Sequence, residues 1–351
     1  MTAAGAVRLE RLYCACPRCG TRRYPLDDRL GVTGFVSPQA RKLLSLAGAS
    51  WSFAAAAEHL KDFCGLATCG QTIRQVCYEE AGLMAGWLHG DPAAGAGFAQ
   101  AEGDVEFQTD GTMVNTWEGW REMRLGLFAR RMRGRPAAAA QWGTRRLPAP
   151  HAKVLFAGIE AAGHFGPRIR RWAARLGVKG ASAVTVLADG ADWIWAQARA
   201  QLPGSGGLLD IYHACEHLAG CAKALYGEGA AEAAAWLGAG RQALLTGGAA
   251  GVQAHLAAAR AGVRSAAKRR ALDEVARYFA RRAGYLGYAG RLAAGQSIGS
   301  GLVEGACKQV IGRRMKQTGA RWRVRRANRM ATLCCTFHGD TWGTYWQHLL
   351  N

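Results

Sequence analysis

Three carboxylates stand out by type and setting. Asp110, in VEFQTDGTMVNTW, and Asp189, in SAVTVLADGADWIW, each follow an apolar run and precede a glycine. Glu304 lies early in a helical stretch entered through GSG. A carboxylate near a strand end is held by the sheet yet open at its edge. Two on neighbouring strands make a hard-oxygen site suited to Mg²⁺, which keeps several waters and takes phosphate as a further ligand. Cleavage of a phosphodiester by two Mg²⁺ (or Mn²⁺) ions needs a third acid, and Glu304 supplies one. Each residue alone also fits a plainer role. Asp-Gly after a strand is commonly a turn, and a Glu near a helix start meets the helix dipole. The combination is what points to metal chemistry. Asp on a first strand, Asp on a fourth and Glu on a late helix is the order of an RNase H-like nuclease core.

Two other groups can carry function. Asp210 and His213, in DIYH, lie three apart at a strand-to-helix junction. Asp210 can orient the imidazole, or His213 can reach a phosphate; a helix cap with a packing histidine fits as well. Glu216 and His217 on the same helix are rival candidates. The run 308–329 holds nine basic residues, among them Lys308, Arg313, Arg314, Lys316 and Arg321, with Trp322 in their midst and no acid. Such a run suits a phosphate backbone, with one ring available for stacking. It follows the Glu304 helix directly, so DNA bound there would be delivered to the acids.

The elements that must position these groups alternate between strand and helix, which argues an α/β fold. Strands are expected at 105–117, with Asp110 near the end, at 120–131 and at 152–160, the last followed by a helix through Leu176. The stretch 182–202 reads as a strand, Asp189-Gly190 and a helix. Residues 208–227 repeat that pattern. Residues 228–295 are helical throughout and too long for a crossover, so they form a helical insertion between the first part of the core (105–227) and its last helix with a basic tail (296–351).

Ahead of the core, residues 36–90 read as helices. A helix from Ser37 through Gly48 precedes two short amphipathic helices, 52–65 and 69–82, which suit a helix-turn-helix. Gln71, Thr72, Arg74 and Gln75 are the outward positions of the second, able to reach base edges or phosphates. Residues 91–104, rich in Gly, Ala and Pro, read as a linker. In the first segment, 1–35, Cys16 and Cys19 form a C-x-x-C followed by glycine, half of a zinc knuckle. Cys14 is close by, but no second pair is, so free thiols are an equal reading.

Bulk composition sets the class. The 351 residues are half hydrophobic, and Lys+Arg 45 against Asp+Glu 25 gives a formal charge of +20. That excess calls for a polyanion, nucleic acid before anionic membrane. No apolar run approaches the roughly 18 residues of a membrane span, and no signal-peptide core is evident. The 11 cysteines are mostly single and helix-borne, as expected of reduced thiols in a cytosolic protein.

At these residues the chain resembles a known family. TDGTMV, LADGADWIW, LDIYHACEHL and GSGLVEGACKQVIGRRMKQTGARW, with CPRCGTRRYPLDDRLG at the front, are similar to ISKra-type insertion-sequence transposases of the DDE superfamily. The resemblance implies an RNase H-like core with a helical insertion, and Asp110, Asp189 and Glu304 as the catalytic triad. It further implies Mg²⁺ or Mn²⁺ as cofactor, Asp210 and His213 as an accessory motif, and cutting and joining of double-stranded DNA at element ends. A homodimer on DNA in the bacterial nucleoid would follow. A decayed site-specific DNA-binding protein, or a nuclease without strand transfer, would share the same residues. Such relatives carry a further cysteine pair that completes a zinc ribbon. Only Cys14 precedes Cys16 here, which implies an internal start or a shortened front and leaves the Zn²⁺ site incomplete.

Overall fold

The computed structural model describes residues 1–30, 35–178 and 184–350. Residues 31–34 of the front segment and the first two residues of the strand expected at 182 lie outside the described residues. The molecule is built on a mixed five-stranded sheet with helices on both faces.

The front starts with a minimal hairpin, β1 (Cys14–Ala15) and β2 (Arg22–Arg23), and a short helix α1 (Pro25–Leu30). Helix α2 (Pro38–Ser50) starts where Ser37 caps the Ala40 N–H and Pro38 fixes the first turn. Ser52 caps α3 (Phe53–Cys64) in the same way, and Gly65 ends it in a left-handed conformation at φ 61°. Helix α4 (Gly70–Gly90) runs about two turns beyond the expected end at 82. It buries Ile73, Val76 and Cys77 against α2 and α3.

The expected linker is not one. Ala93–Gln100 form helix α5, with Ala94 and Phe98 buried. Its alanines and glycines allow close packing, and one aromatic ring anchors it, so small-residue composition here marks a contact and not a tether.

The sheet follows. Strand β3 (Asp104–Thr116) and β4 (Gly119–Arg131) form a long antiparallel hairpin, and β5 (Ala152–Gly158) pairs antiparallel with β4. Helix α6 (Ala162–Arg175) leads to β6 (Val184–Ala188), parallel to β3, then to α7 (Asp192–Gln201) and to β7 (Gly206–Leu209), parallel to β6. The order is β5-β4-β3-β6-β7. Phe156 of β5 stacks on Phe165 and Trp172, which places α6 on one face.

After β7 comes α8 (Ile211–Tyr226), then the expected helical insertion: α9 (Ala231–Gly262), α10 (Ala266–Arg281) and α11 (Tyr288–Ala293). Helix α9 is broken at Gly248, whose φ of 55° and ψ of −131° no L side chain adopts comfortably. The insertion packs back on α8. The chain then returns to the sheet through α12 (Gly301–Ala306), a π-helical turn (Cys307–Gly312) and α13 (Arg313–Met315). It ends in α14 (Val324–His338) and α15 (Thr341–Leu350). Helix α14 packs on β5 on one side and on α2 and α4 on the other, so front and tail share one continuous core. Buried Arg41 of α2 pairs with Glu80 of α4, whose other oxygen accepts the Tyr345 hydroxyl of α15 at 2.7 Å. Among the described residues no helix is long and apolar enough to cross a membrane.

Candidate catalytic site

Strand β3 acts as the ruler of the site. Its even-numbered side chains all lie on the face that the C-terminal segment covers, because side chains alternate along a strand. Ser297 Oγ donates to buried Glu106. The Val303 N–H donates to the Gln108 side chain at 3.1 Å. The Cys307 thiol lies against Asp110. Lys316 donates to Thr112, and the Trp322 N–H reaches the Asn115 carbonyl at 3.1 Å. Residues 297–322 therefore run along β3 from Glu106 to the hairpin tip, and Glu304 is placed by contacts on either side of it.

Asp110 is not at the end of its strand, as expected, but in its middle. What ends there is the parallel pairing. Gln108 is paired with Leu187, and two more residues of the same register bring Asp110 beside Asp189, just past the end of β6. The paired strands are about 4.8 Å apart where the ladder ends, and the two acids are close enough for the Asp189 charge to act on Asp110. The Asp110 carboxyl is raised above the ordinary range, first by burial and then by the negative charges of Asp189 and Glu304. The Gly111 N–H, which donates to Asp110 Oδ1 at 2.6 Å, and the Cys307 thiol oppose the rise. Asp189 Oδ1 is fixed by the Ala191 N–H at 2.9 Å.

Glu304 departs from expectation. It is exposed, not turned to the sheet, and its Oε1 pairs with Lys308 Nζ at 2.6 Å one turn on. Among the described residues no three His, Cys, Asp or Glu side chains are gathered as a closed metal site. Asp110 and Asp189 fit a divalent ion by oxygen chemistry and by the repulsion an ion would relieve. Glu304 fits only after exchanging Lys308 for the ion.

The glycine after Asp189 has a specific reason. A Cβ at Gly190 would overlap the hydroxyl of Tyr278, from α10 of the insertion. Among the described residues that buried hydroxyl has no hydrogen-bond partner, and burial pushes its pKa up to about 12. Arg282 lies over the Tyr278 ring at 4.1 Å, donates to the Gly190 carbonyl and bonds Asp192 at 3.1 Å. The insertion thus grips the Asp189 loop. The ring of His217 stacks on Tyr278 at 3.7 Å; burial, His213 and Arg282 lower the His217 pKa.

Asp210 is buried and serves as a clamp. Its Oδ1 caps α8 by accepting the His213 N–H at 2.9 Å. Its Oδ2 accepts both the Ser300 N–H and, at 2.7 Å, the Ser300 hydroxyl. One carboxylate ties the end of β7 to the glycine-rich turn before Glu304. It engages the His213 backbone, and the imidazole instead faces Glu216, with Nδ1 to Oε2 at 3.4 Å.

The basic run divides. Arg313, Lys316 and Arg321 are exposed, as is Lys308 beside Glu304. Arg314 and Trp322 are not surface groups, contrary to expectation: they are 3% and 8% exposed. The Arg314 Nε donates to the Gly48 carbonyl at 2.6 Å, and the Trp322 ring nitrogen donates to the Met315 carbonyl at 3.0 Å. A count of charges along a chain does not say which side chain the fold turns inward. On α4, Gln71 and Gln75 are exposed, and Thr72 and Arg74 half-exposed. In the front hairpin, Cys14, Cys16 and Cys19 are all exposed. Hydrogen bonds from Thr21 lower the Cys19 thiol to about 7, but among the described residues the four ligands of a structural zinc site are not assembled.

No protein-family model matches the chain, and neither does any curated protein. The site residues that sequence reasoning missed are Glu106, Gln108, Ser297, Tyr278 and Arg282. Only the first two left a signal, as polar residues at alternate positions ahead of Asp110.

Proposed function

We propose that this chain is a metal-dependent DNA transposase with an RNase H-like core, in which Asp110, Asp189 and Glu304 form the catalytic acids. The observation that carries the reading is the shared face of β3. The sheet register sets Asp189 beside Asp110, and the contacts from Ser297 to Lys316 hold the Glu304 helix along the same strand. The strand order, with an antiparallel hairpin and edge strand on one side and two parallel strands on the other, supports it. So does the likeness of the motifs around these residues to ISKra-type transposases.

Asp110 and Asp189 would hold Mg²⁺ or Mn²⁺, with Glu304 joining them, and the bound ions would supply Lewis acidity at the scissile phosphate. The chain itself does three things. Its sheet fixes two acids at neighbouring positions, Asp210 anchors the turn that leads to the third, and exposed Arg313, Lys316 and Arg321 attract the phosphate backbone past them. The exposed, lysine-paired state of Glu304 favours a second reading, a DNA-binding protein that occupies sites without cutting.

The test is incubation of the full chain with duplexes from the DNA flanking its own reading frame, in Mg²⁺ or Mn²⁺. Nicked and joined products that vanish with Asp189→Ala are expected. Binding without any product supports the second reading. Nicking without joining points to a nuclease.

A further inference from the structure

A basic concavity of about 550 Å³ opens at the tip of the β3–β4 hairpin, beyond the acids. It lies between the start of α3, the α4 positions Arg74 and Tyr78, and the loop before α14. Trp117 stands in its wall with 65% of its surface exposed. The ring is not on a loose loop: the Trp117 N–H donates to the Trp322 carbonyl at 2.9 Å, and the Trp322 N–H returns to Asn115 at 3.1 Å. The Arg321 guanidinium lies 5.1 Å from the Trp117 ring, and Arg326 lies 5.5 Å from Tyr78. Arg323 lines the loop side.

The floor is Arg314. It is held between the rings of Phe53 and Trp322, at 4.5 and 5.2 Å. Among the described residues its buried Nη2 has no hydrogen-bond partner and no carboxylate pairs with it. A buried guanidinium without a counter-charge is costly unless an anion answers it. Helices α3 and α14 also start at this pocket, so their dipoles add to the same positive field.

We propose that this pocket takes one unpaired nucleotide of a DNA strand, its phosphate on the arginines and its base stacked on Trp117. The volume suits a nucleotide and excludes a duplex. A flat exposed ring beside arginines is the chemistry that recognises a splayed base with its phosphate. A phosphopeptide would use the arginines but gain nothing from the indole. The inference rests on the DNA reading above, yet it fails separately from it.

The experiment is fluorescence anisotropy of the full-length protein with a labelled dT octamer and with the same octamer made of abasic residues. Trp117 is on an exposed turn, so its replacement leaves the core intact. Trp117→Ala should weaken dT binding by about 5- to 150-fold, the range of one lost base stack, whereas Trp117→Phe should keep most of the affinity. The abasic octamer should bind the unaltered protein about as weakly as dT binds Trp117→Ala. Arg321→Ala should flatten the logarithmic salt dependence by roughly 0.7, one single-strand phosphate contact. Equal affinity of Trp117→Ala and the unaltered protein for dT overturns the proposal, even if DNA nicking is intact. Tighter binding of a phosphoserine peptide than of dT overturns it in favour of a protein partner. Loss of nicking alone, with the dT results as expected, defeats the transposase reading and leaves the pocket standing.

Discussion

The three acids rest on two kinds of support. Asp110 and Asp189 belong to the sheet, each with one oxygen fixed by a nearby backbone N–H and with negative charge pressed together. Glu304 belongs to a helix of six residues that runs into a π-helical turn, and its carboxylate is exposed and paired with a lysine. The sheet pair is preorganised and electrostatically strained. The helix acid is relaxed and must be recruited. A π turn widens the helix by one residue per turn and is frequent at functional sites. Here it begins at Cys307, whose thiol meets Asp110, while Glu304 one turn earlier faces solvent and Lys308. Two fixed acids and one movable acid would allow the site to close only when an ion and DNA are present.

The largest effect that separates the two supports comes from Asp110→Asn. Removing one of the sheet acids should slow cleavage by at least about 10³-fold, the several kcal/mol that metal charge stabilisation contributes. Yet the variant should be no less stable at neutral pH. The Asp110 pKa is raised in the folded state, so folding favours its neutral form. That preference is fully satisfied below the unfolded value near 3.8 and is lost as pH rises through the folded value. Above that point the charged carboxylate costs stability, and Asn does not. Urea unfolding at pH 7 should give an equal or higher midpoint for Asp110→Asn, with the difference shrinking toward pH 3. A lower midpoint at pH 7 would mean that the sheet pair is not strained.

This contrast was half legible in the sequence. Apolar runs ending in Asp-Gly located both sheet acids, and alternation located the strands that carry them. What the pattern could not reveal was which pairing ended at Asp110. Strand β3 continues for six residues in its hairpin, so its end in sequence is not its end in the parallel half of the sheet. The reason for Gly190 was equally hidden, because the group that needs the space, Tyr278, lies on the insertion far along the chain. Arg314 and Trp322 read as surface because charge runs are usually solvated, and only the packing of α2 and α3 turns them inward. Phe98 was the one large side chain in a stretch of small ones, enough to convert a tether into a helix contact.

The next effect tests the insertion's grip on the sheet acid. Gly190→Ala places a methyl group against the Tyr278 hydroxyl, which His217 and Arg282 hold from both sides. Overpacking of this kind costs about 1–3 kcal/mol, read as a lower urea midpoint. Tyr278→Phe removes a buried hydroxyl that has no partner among the described residues and should by itself be neutral or stabilising. Combined with Gly190→Ala it should recover a good part of the loss. Strict additivity of the two changes would show that the insertion does not bear on the Asp189 loop.

The smallest effect belongs to the helix acid, and it discriminates most sharply between a recruited Glu304 and an idle one. The Glu304–Lys308 pair is solvent-exposed, with side chains 63% and 74% accessible. An i,i+4 pair at the surface contributes about 0.3–0.5 kcal/mol, so an ion competing for Glu304 has to overcome about a twofold bias. Lys308→Met removes the competitor and keeps the helix-compatible stem. If Glu304 swings to the ion, the variant should reach half-maximal cleavage at about half the Mn²⁺ concentration, with the maximal rate falling only as far as DNA affinity falls. If Lys308 serves the DNA backbone alone, the Mn²⁺ midpoint should stay put while the salt dependence of DNA binding flattens. The two outcomes move different axes of one titration, so a single variant measured against ion and salt tells whether the third acid is part of the site or merely beside it.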